Sequence, residues 1–140
     1  MKSIYTATVT SVGGRNGHVE SSDGVLKLEL SYPPTDGSTP KKTNPEQLFA
    51  AGYAACFTGA IVHVSQPRLN PAEIQIVNSV TLFTDDADKF QLAVHLDVTI
   101  PSLDQAAAEK IVAEAHQVCP YSNATRGNIE VKLTAHGGKG

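Results

Sequence analysis

The first 31 residues show the alternation of apolar and polar positions that is typical of β-strands. Residues 5–12, YTATVTSV, are rich in β-branched and aromatic residues, and a double glycine follows them. In residues 25–30, VLKLEL, three leucines alternate with charged residues, which predicts a strand with one buried face. The pair Asp23–Gly24 favours a turn just before it. We therefore predict strands within residues 3–31, followed by a mobile Pro/Gly-rich polar loop over residues 33–42.

A helical pattern begins after residue 44. Asn44 is suited to cap the helix, Pro45 suits its first position, and Gln47 is placed to complete a capping box. The pattern predicts a helix over residues 45–66. From Leu48 to Val64 the chain carries no Asp, Glu, Lys or Arg, but a membrane-spanning helix needs about 20 apolar residues. Because helices that are apolar on all sides are usually buried, we expect a core helix and no membrane partner.

Small residues form two adjacent rows at four-residue spacing along this helix. The rows are Gly52, Cys56 and Ala60, and Ala51, Ala55 and Gly59. Small side chains allow a second helix to approach closely. A single small domain would have difficulty covering a helix that is apolar on every side, so we expect a homodimer with a large apolar interface.

The second half of the chain continues with strand patterns and a second helix. EIQIVNSVTLFTD and FQLAVHLDVTIP predict two strands within residues 73–100. A helix is predicted over residues 103–118, with Ser102 as its cap and Gln105 as the capping partner. Pro120 ends this helix, because the residue before a proline is disfavoured in the α region.

Residues 128–136, NIEVKLTAH, predict a final strand. The predicted order is βββαββαβ, an α+β protein with two helices packed on antiparallel sheets. With 140 residues, of which 41% are hydrophobic, the chain is expected to form one domain over residues 1–140.

Composition and charge narrow the class of protein. The net charge is −3 and the basic residues are scattered, so nothing indicates a nucleic-acid partner. The opening MKSIYTATVT lacks the apolar stretch of a signal peptide, which favours a cytoplasmic location. In that compartment the two cysteines, Cys56 and Cys119, are expected to be catalytic, redox-sensing or metal-binding rather than permanently bridged.

Cys56 needs a nearby cation to become a reactive thiolate. It lies about three turns into its helix, beyond the reach of the helix dipole, and an apolar setting raises a thiol pKa. Arg15, in GGRNG, is the best candidate, and Arg126, in NATRGN, competes with it. Glu46, in the first helical turn, can hold Arg15 in a bidentate pair. Each of these charged residues also has an ordinary interpretation, as a solvated turn or helix-start side chain.

Three further interpretations stay open on the residues alone. Cys119 can be an ordinary buried cysteine or can form a conditional disulfide with Cys56. A zinc-binding structural domain could use Cys56, His63, His116 and Cys119, although the set lacks the short C-x2-C spacing of zinc knuckles. A redox sensor that changes its partner on oxidation is the third.

Three motifs resemble one known family. TNPEQLFAAGYAACFTGA around Cys56, VCPYSNATRGN around Cys119 and GGRNG near the N-terminus closely resemble the Ohr family of organic hydroperoxide resistance proteins. The likeness covers nearly the whole chain and leaves only the C-terminal GGKG unplaced. The wider superfamily includes the OsmC proteins, and a peroxidase of broader, OsmC-type specificity is the alternative within it. Phe49, Gly52, Tyr53 and the CPYS run look like the Ohr branch.

The resemblance implies a function and a site. It implies an intertwined homodimer and a thiol peroxidase for alkyl and fatty-acid hydroperoxides, with no bound cofactor or metal. An external dithiol, the dihydrolipoyl group of a lipoylated protein, would recycle it. Cys56 matches the peroxidatic cysteine, Cys119 the resolving cysteine, Arg15 the arginine that contacts the thiolate and Glu46 the residue that orients it. From their places around Cys56, Phe49, Tyr53 and Phe57 are expected to line the substrate pocket.

Overall fold

Six strands and three α-helices follow one another along residues 1–139, the part of the chain that the computed structural model describes. They are β1 (Val9–Val12), β2 (His18–Ser21), β3 (Lys27–Glu29), α1 (Pro45–Val64), β4 (Gln75–Thr84), β5 (Phe90–Asp104), α2 (Gln105–Val118), α3 (Pro120–Thr125) and β6 (Glu130–Lys139). The predicted α+β class is confirmed. Gly140, the last residue of the unplaced GGKG, lies outside the described part. The chain divides into two compact units, Met1–Leu48 and Phe49–Gly140.

The first unit contains a small antiparallel sheet in the order β1-β2-β3. The strands occupy less of residues 3–31 than predicted. The predicted turn at Asp23 is present, and the Ser21 N–H donates to the Leu26 carbonyl across it. The prediction of one buried leucine face was only partly right. Leu30 is 4% exposed but Leu28 is 38% exposed, because β3 has three residues and its face is left partly open. Residues 33–42 form irregular structure, and their predicted mobility stays a prediction.

Helix α1 begins where the sequence predicted and ends two residues early. The Asn44 side chain accepts the N–H of Gln47 at 2.9 Å, so Asn44 caps the helix. The predicted capping box is incomplete, because the Gln47 side chain accepts a hydrogen bond from Thr43. The helix stops at Val64 because the Ser65 hydroxyl donates to a carbonyl of the last turn and accepts the N–H of Leu69.

The second unit contains a mixed sheet in the order β4-β5-β6. β4 and β5 pair antiparallel over their full facing length, but β5 and β6 pair in parallel. The prediction of purely antiparallel sheets was therefore wrong. The physical reason is the connection between β5 and β6, since α2 and α3 form the long crossover that parallel neighbours require.

The start of α2 and the presence of α3 also differ from the predictions. β5 continues to Asp104, whose side chain accepts the N–H of Ala107 at 2.8 Å and caps α2. Ser102, the predicted cap, lies in β5 and donates instead to Glu73. Two helices were predicted, whereas Pro120 ends α2 and also opens the short α3, where its missing N–H costs nothing.

The core of the second unit lies between α1, α2 and the sheet. Its fully buried large side chains are Tyr53, Phe57 and Ile61 of α1, and Leu96, Val98 and Ile100 of β5. Their burial removes a continuous apolar surface from water, at about 1.5–3 kcal/mol for each large side chain. By length and hydropathy alone α1 could also span a membrane. Its row of Ala51, Ala55 and Gly59 is exposed on this chain.

Candidate active site

The chain turns a corner at Cys119, between α2 and α3. Its backbone is extended, with φ −63° and ψ 124°, as expected for a residue that precedes a proline. Its N–H donates to the carbonyl of Ala115, and its own carbonyl accepts the N–H of Asn123, each at 2.9 Å. The Cys119 side chain is fully buried. Two helix ends therefore fix the place of this thiol.

The two cysteines face each other across the second unit. The Cys119 and Cys56 thiols lie within hydrogen-bond distance of each other, with the two Sγ atoms 3.9 Å apart, and both cysteines are free. A disulfide needs a separation of about 2.05 Å, so a movement of roughly 2 Å would join the sulfurs. The structure brings together a pair that lies 63 residues apart in sequence.

The electrostatic setting keeps Cys56 a thiol in this arrangement. Burial raises the pKa of Cys56, and the neighbouring Cys119 raises it further, while the backbone N–H of Tyr121 opposes both effects. A carboxylate or thiolate loses hydration when it is buried, which explains the direction of the main effect. An ionised Cys56 would therefore gain from a positive charge close to its sulfur.

Arg15 and Glu46 form a bidentate ion pair within the first unit. Arg15 lies in a tight turn over residues 14–16, between β1 and β2, where Gly13 and Gly14 have positive φ. Its two terminal nitrogens, Nη1 and Nη2, donate to separate Glu46 oxygens at 2.9 and 2.6 Å. This hydrogen bonding lowers the pKa of Glu46 and raises that of Arg15. Glu46 lies in the first turn of α1, the helix that also carries Cys56.

Arg126, the competing arginine, has partners of its own. Its guanidinium donates to Asn123 at 2.9 Å and to the backbone carbonyl of His116 at the end of α2. This is the ordinary role of an arginine that caps helix carbonyls.

The three aromatic residues expected near the substrate occupy different environments. Tyr53 and Phe57 are fully buried in the core, whereas Phe49 is only partly buried. Phe49 packs edge-on against Tyr53, with ring centroids 6.0 Å apart. Tyr121, a residue of the CPYS run that was not predicted to line the pocket, lies 5.5 Å from Tyr53 and 6.2 Å from Phe49 between ring centroids.

Sequence reasoning also missed a set of hydrogen bonds behind the cysteines. The buried hydroxyl of Ser122 lies 2.8 Å from both the Tyr53 hydroxyl and His116 Nδ1. Tyr53 also lies 3.1 Å from the Thr125 hydroxyl. The only local signal was the polar run YSNAT directly after a proline, which is compatible with a short helix.

The zinc alternative finds no support in this geometry. Across residues 1–139 no three His, Cys, Asp or Glu side chains converge as metal ligands would. His63 is exposed on α1, and His116 is engaged with Ser122.

The sequence and the fold both match known proteins. Residues 37–134 match the OsmC-like protein family. The chain is 47% identical over 131 residues to organic hydroperoxide resistance protein OhrB of Bacillus subtilis, covering 93% of this chain and 96% of that protein. It is 49% identical over 136 residues to the organic hydroperoxide resistance protein of Xanthomonas axonopodis pv. citri, with 95% of each covered. A crystal structure from Legionella pneumophila, described as an organic hydroperoxide resistance protein, superposes with a TM-score of 0.87 at 48% identity, covering 96% of this chain and 99% of that one.

These matches, together with the paired thiols in a mixed α+β fold, place the chain in the OsmC-like family. Within that family it is a member of the Ohr group, since its near relatives are organic hydroperoxide resistance proteins over almost their whole length.

Proposed function

We propose that this protein is a cysteine-based peroxidase that reduces organic hydroperoxides to alcohols. The observation that carries the proposal is the 3.9 Å separation of the Cys56 and Cys119 sulfurs. Its relatives are named for organic hydroperoxide resistance, which supports the class of substrate. Half-buried Cys56 is the more accessible thiol and fully buried Cys119 the less accessible one, which favours Cys56 as the first to react.

The reaction proceeds in two balanced steps. The Cys56 thiolate attacks the distal oxygen of the hydroperoxide, so that an S–O bond forms, the O–O bond breaks and the alkoxide leaves as the alcohol after taking a proton. The product is a sulfenic acid on Cys56. The Cys119 sulfur then attacks the Cys56 sulfur, the S–O bond breaks and water leaves. The hydroperoxide gains two electrons, and the two thiols are oxidised to one disulfide.

An external dithiol completes the cycle. Its thiolate attacks the Cys56–Cys119 disulfide, passes through a mixed disulfide and leaves as its own cyclic disulfide, which restores both thiols. We propose that the dihydrolipoyl group of a lipoylated protein is this reductant, following the resemblance to the Ohr family. No bound cofactor is needed for either half of the cycle.

Arg15 is proposed to supply the positive charge that Cys56 requires. The guanidinium has five N–H donors, of which Glu46 takes one on each terminal nitrogen, so three stay available for a thiolate or a peroxide oxygen. An unperturbed thiol is roughly 3% thiolate at pH 7, so complete ionisation gains only about 30-fold. The larger part of the rate must come from orienting the peroxide and stabilising the departing alkoxide. By pairing with the Arg15 guanidinium, Glu46 orients it both for binding the peroxide and for stabilising the alkoxide.

Aromatic packing next to Cys56 favours a bulky substrate. Phe49 and the partly exposed Tyr121 present apolar surface, backed by the buried Tyr53 and Phe57. Each substrate methylene buried there contributes about 0.8 kcal/mol. Hydrogen peroxide has no such group, so kcat/KM for an alkyl or fatty-acid hydroperoxide is expected to exceed that for hydrogen peroxide strongly. Equal values would contradict this assignment of the pocket.

The functional protein is proposed to be a cytoplasmic homodimer. The exposed row of Ala51, Ala55 and Gly59 on α1 supports the assembly, because three small residues leave room for a second helix. Exposed apolar side chains on β4 and β5, including Val77, Phe83 and Phe90, add surface that a partner copy would cover.

A thiol count combined with intact mass tests the proposed function. The reduced protein is treated with about one equivalent of an organic hydroperoxide and then quenched. Loss of both thiols with a mass decrease of about two daltons is expected for an internal disulfide. Cys119→Ser should instead gain about 16 daltons, as the sulfenic acid persists. The proposal would be refuted if the unsubstituted protein kept both thiols, or if its thiols were oxidised no faster than free cysteine.

A further inference from the structure

A chain of buried hydrogen bonds joins the segments that carry the two sulfurs. Ser122 is fully buried, and its hydroxyl lies 2.8 Å from His116 Nδ1 and 2.8 Å from the Tyr53 hydroxyl. The Tyr53 hydroxyl lies 3.1 Å from that of Thr125. These four side chains come from α1, α2 and α3, so one set of bonds ties the three helices together.

Counting hydrogens assigns a direction to every bond in this set. The Thr125 hydroxyl donates to the Ser122 carbonyl at 3.2 Å, so it accepts from Tyr53. Tyr53 has then used its single hydrogen and accepts from Ser122. Ser122 in turn has used its own, so the remaining bond must be donated by Nδ1–H of His116. The proton of a neutral His116 therefore sits on Nδ1.

The surroundings of His116 favour that neutral form. Burial lowers its pKa, and the charge of Arg126 lowers it further. Arg126 also donates to the His116 backbone carbonyl, which adds a second link between α3 and the end of α2. Cys119 lies at the corner that these two links enclose, three residues after His116 and three before Ser122.

We propose that His116 is a positioning residue for disulfide closure: by donating Nδ1–H to Ser122, and through it to Tyr53, it holds the Cys119 corner against the helix that bears Cys56. Tyr53 lies three residues before Cys56 on α1, so the hydrogen bond from Ser122 is accepted one helical turn away from Cys56. The inference rests on the proposed function, because it concerns the second chemical step. A misplaced sulfur reacts slowly, since closure depends on the near-attack geometry of the two Sγ atoms.

The two chemical steps separate this role from a general structural one. Peroxide attack uses Cys56 and leaves Cys119 untouched, whereas closure requires Cys119 to reach Cys56. Losing one hydrogen bond of ordinary strength corresponds to about tenfold in rate. His116→Ala should slow closure by about tenfold and leave the rate of peroxide attack within about twofold.

Single-turnover kinetics test the inference. Reduced protein is mixed with an organic hydroperoxide, and samples are alkylated at timed intervals. Intact-mass spectrometry of these samples then quantifies the sulfenic acid and the disulfide separately. His116→Asn keeps an N–H donor near the Nδ1 position and should restore closure to within about threefold of the unsubstituted rate. Gln117→Ala, at an exposed position of α2 beside His116, is the matched control and should change neither step.

Several results would overturn the inference. They are closure at the unsubstituted rate in His116→Ala, an equal fall of both steps, or no recovery in His116→Asn. Tyr53→Phe removes the receiving hydroxyl and keeps the ring, and its effect on closure should not add to that of His116→Ala. Nitrogen-15 NMR should find the neutral ring protonated at Nδ1, and a proton at Nε2 would equally reject the assignment. If the unsubstituted protein forms no disulfide at all, the proposed function fails instead.

Discussion

Glu46 accepts one hydrogen bond from Arg15 on each of its two carboxylate oxygens, at 2.6 and 2.9 Å. The planar guanidinium is therefore fixed in orientation as well as in position, which a point charge in the same place would not be. The pair joins the turn between the first two strands to the start of α1.

Arg15→Lys is expected to lose most of the peroxidase activity although it keeps the positive charge. Lysine offers a flexible ammonium that cannot pair with both carboxylate oxygens and still orient a peroxide. We expect kcat/KM for an organic hydroperoxide to fall by at least about tenfold, measured with excess dithiol. Arg68→Lys, at an exposed position, is the matched control. Normal turnover in Arg15→Lys would show that a planar, oriented guanidinium is not required.

The Arg15–Glu46 pair predicts a pH dependence of stability. The hydrogen bonds from Arg15 lower the pKa of Glu46, so the folded state favours the ionised carboxylate. That contribution is present in full above the unfolded carboxyl pKa and is lost as the pH falls through the lower folded-state pKa, below about pH 4. Glu46→Gln should reduce the free energy of unfolding by about 1 kcal/mol at pH 7, since the pair is partly exposed. Urea unfolding of both proteins at pH 7 and near pH 3 checks this. If the difference in unfolding free energy between them persists near pH 3, ionisation of Glu46 is not its cause.

Ala55→Glu is expected to break the proposed dimer. Ala55 lies in the exposed small-residue row of α1, and a carboxylate there would be buried without a partner in a helix–helix interface. Light scattering at micromolar concentration should give the mass of one chain for this variant and twice that mass for the unsubstituted protein. Ala106→Glu changes an exposed alanine of α2 and should leave the mass unchanged. An unsubstituted protein with the mass of one chain would remove the dimer from the proposal.

Gly52 and Tyr121 are expected to respond to substitution as a coupled pair. A Cβ placed on Gly52 would lie 2.8 Å from the Tyr121 hydroxyl oxygen, so Gly52→Ala must displace that ring. The gain in helix propensity, about 1 kcal/mol, offsets the displacement, and the net change in unfolding free energy should be small. Tyr121→Phe removes the hydroxyl oxygen that makes the closest contact. In that background, Gly52→Ala should increase the free energy of unfolding by about 1 kcal/mol. Equal effects of Gly52→Ala in both backgrounds would exclude the coupling.

The local chemistry of helix starts made part of the fold and site predictable. Asn44 and Pro45 placed the beginning of α1 correctly, and the helix then fixed where Glu46 and Cys56 lie along it. The α+β class followed from alternating and helical patterns that each depend on near neighbours. The position of the Cys119 corner followed from Pro120, because a proline restricts the residue before it whatever the tertiary structure.

Features that depend on distant contacts were not predictable. Ser122 bonds to Tyr53 across 69 residues, and no periodic pattern reports such a pairing. Alternation along a strand says nothing about the direction of its neighbour, so the parallel pairing of β5 with β6 was missed. Leu28 has the pattern of a buried strand residue, but its exposure depends on what covers the sheet. A six-residue helix such as α3 is too short to show a helical period.

The parallel pairing of β5 with β6 has a consequence for protein synthesis. The ribosome makes Cys56 before Cys119, and the Cys119 corner belongs to the crossover that closes only when β6 has emerged and paired with β5. During much of translation the chain therefore carries Cys56 as a lone thiol. Under the proposed mechanism, a peroxide that reached this thiol would leave a sulfenic acid with no cysteine in place to resolve it. Under that mechanism, the order in which the two cysteines reach their places is thus set by the pairing of β5 with β6.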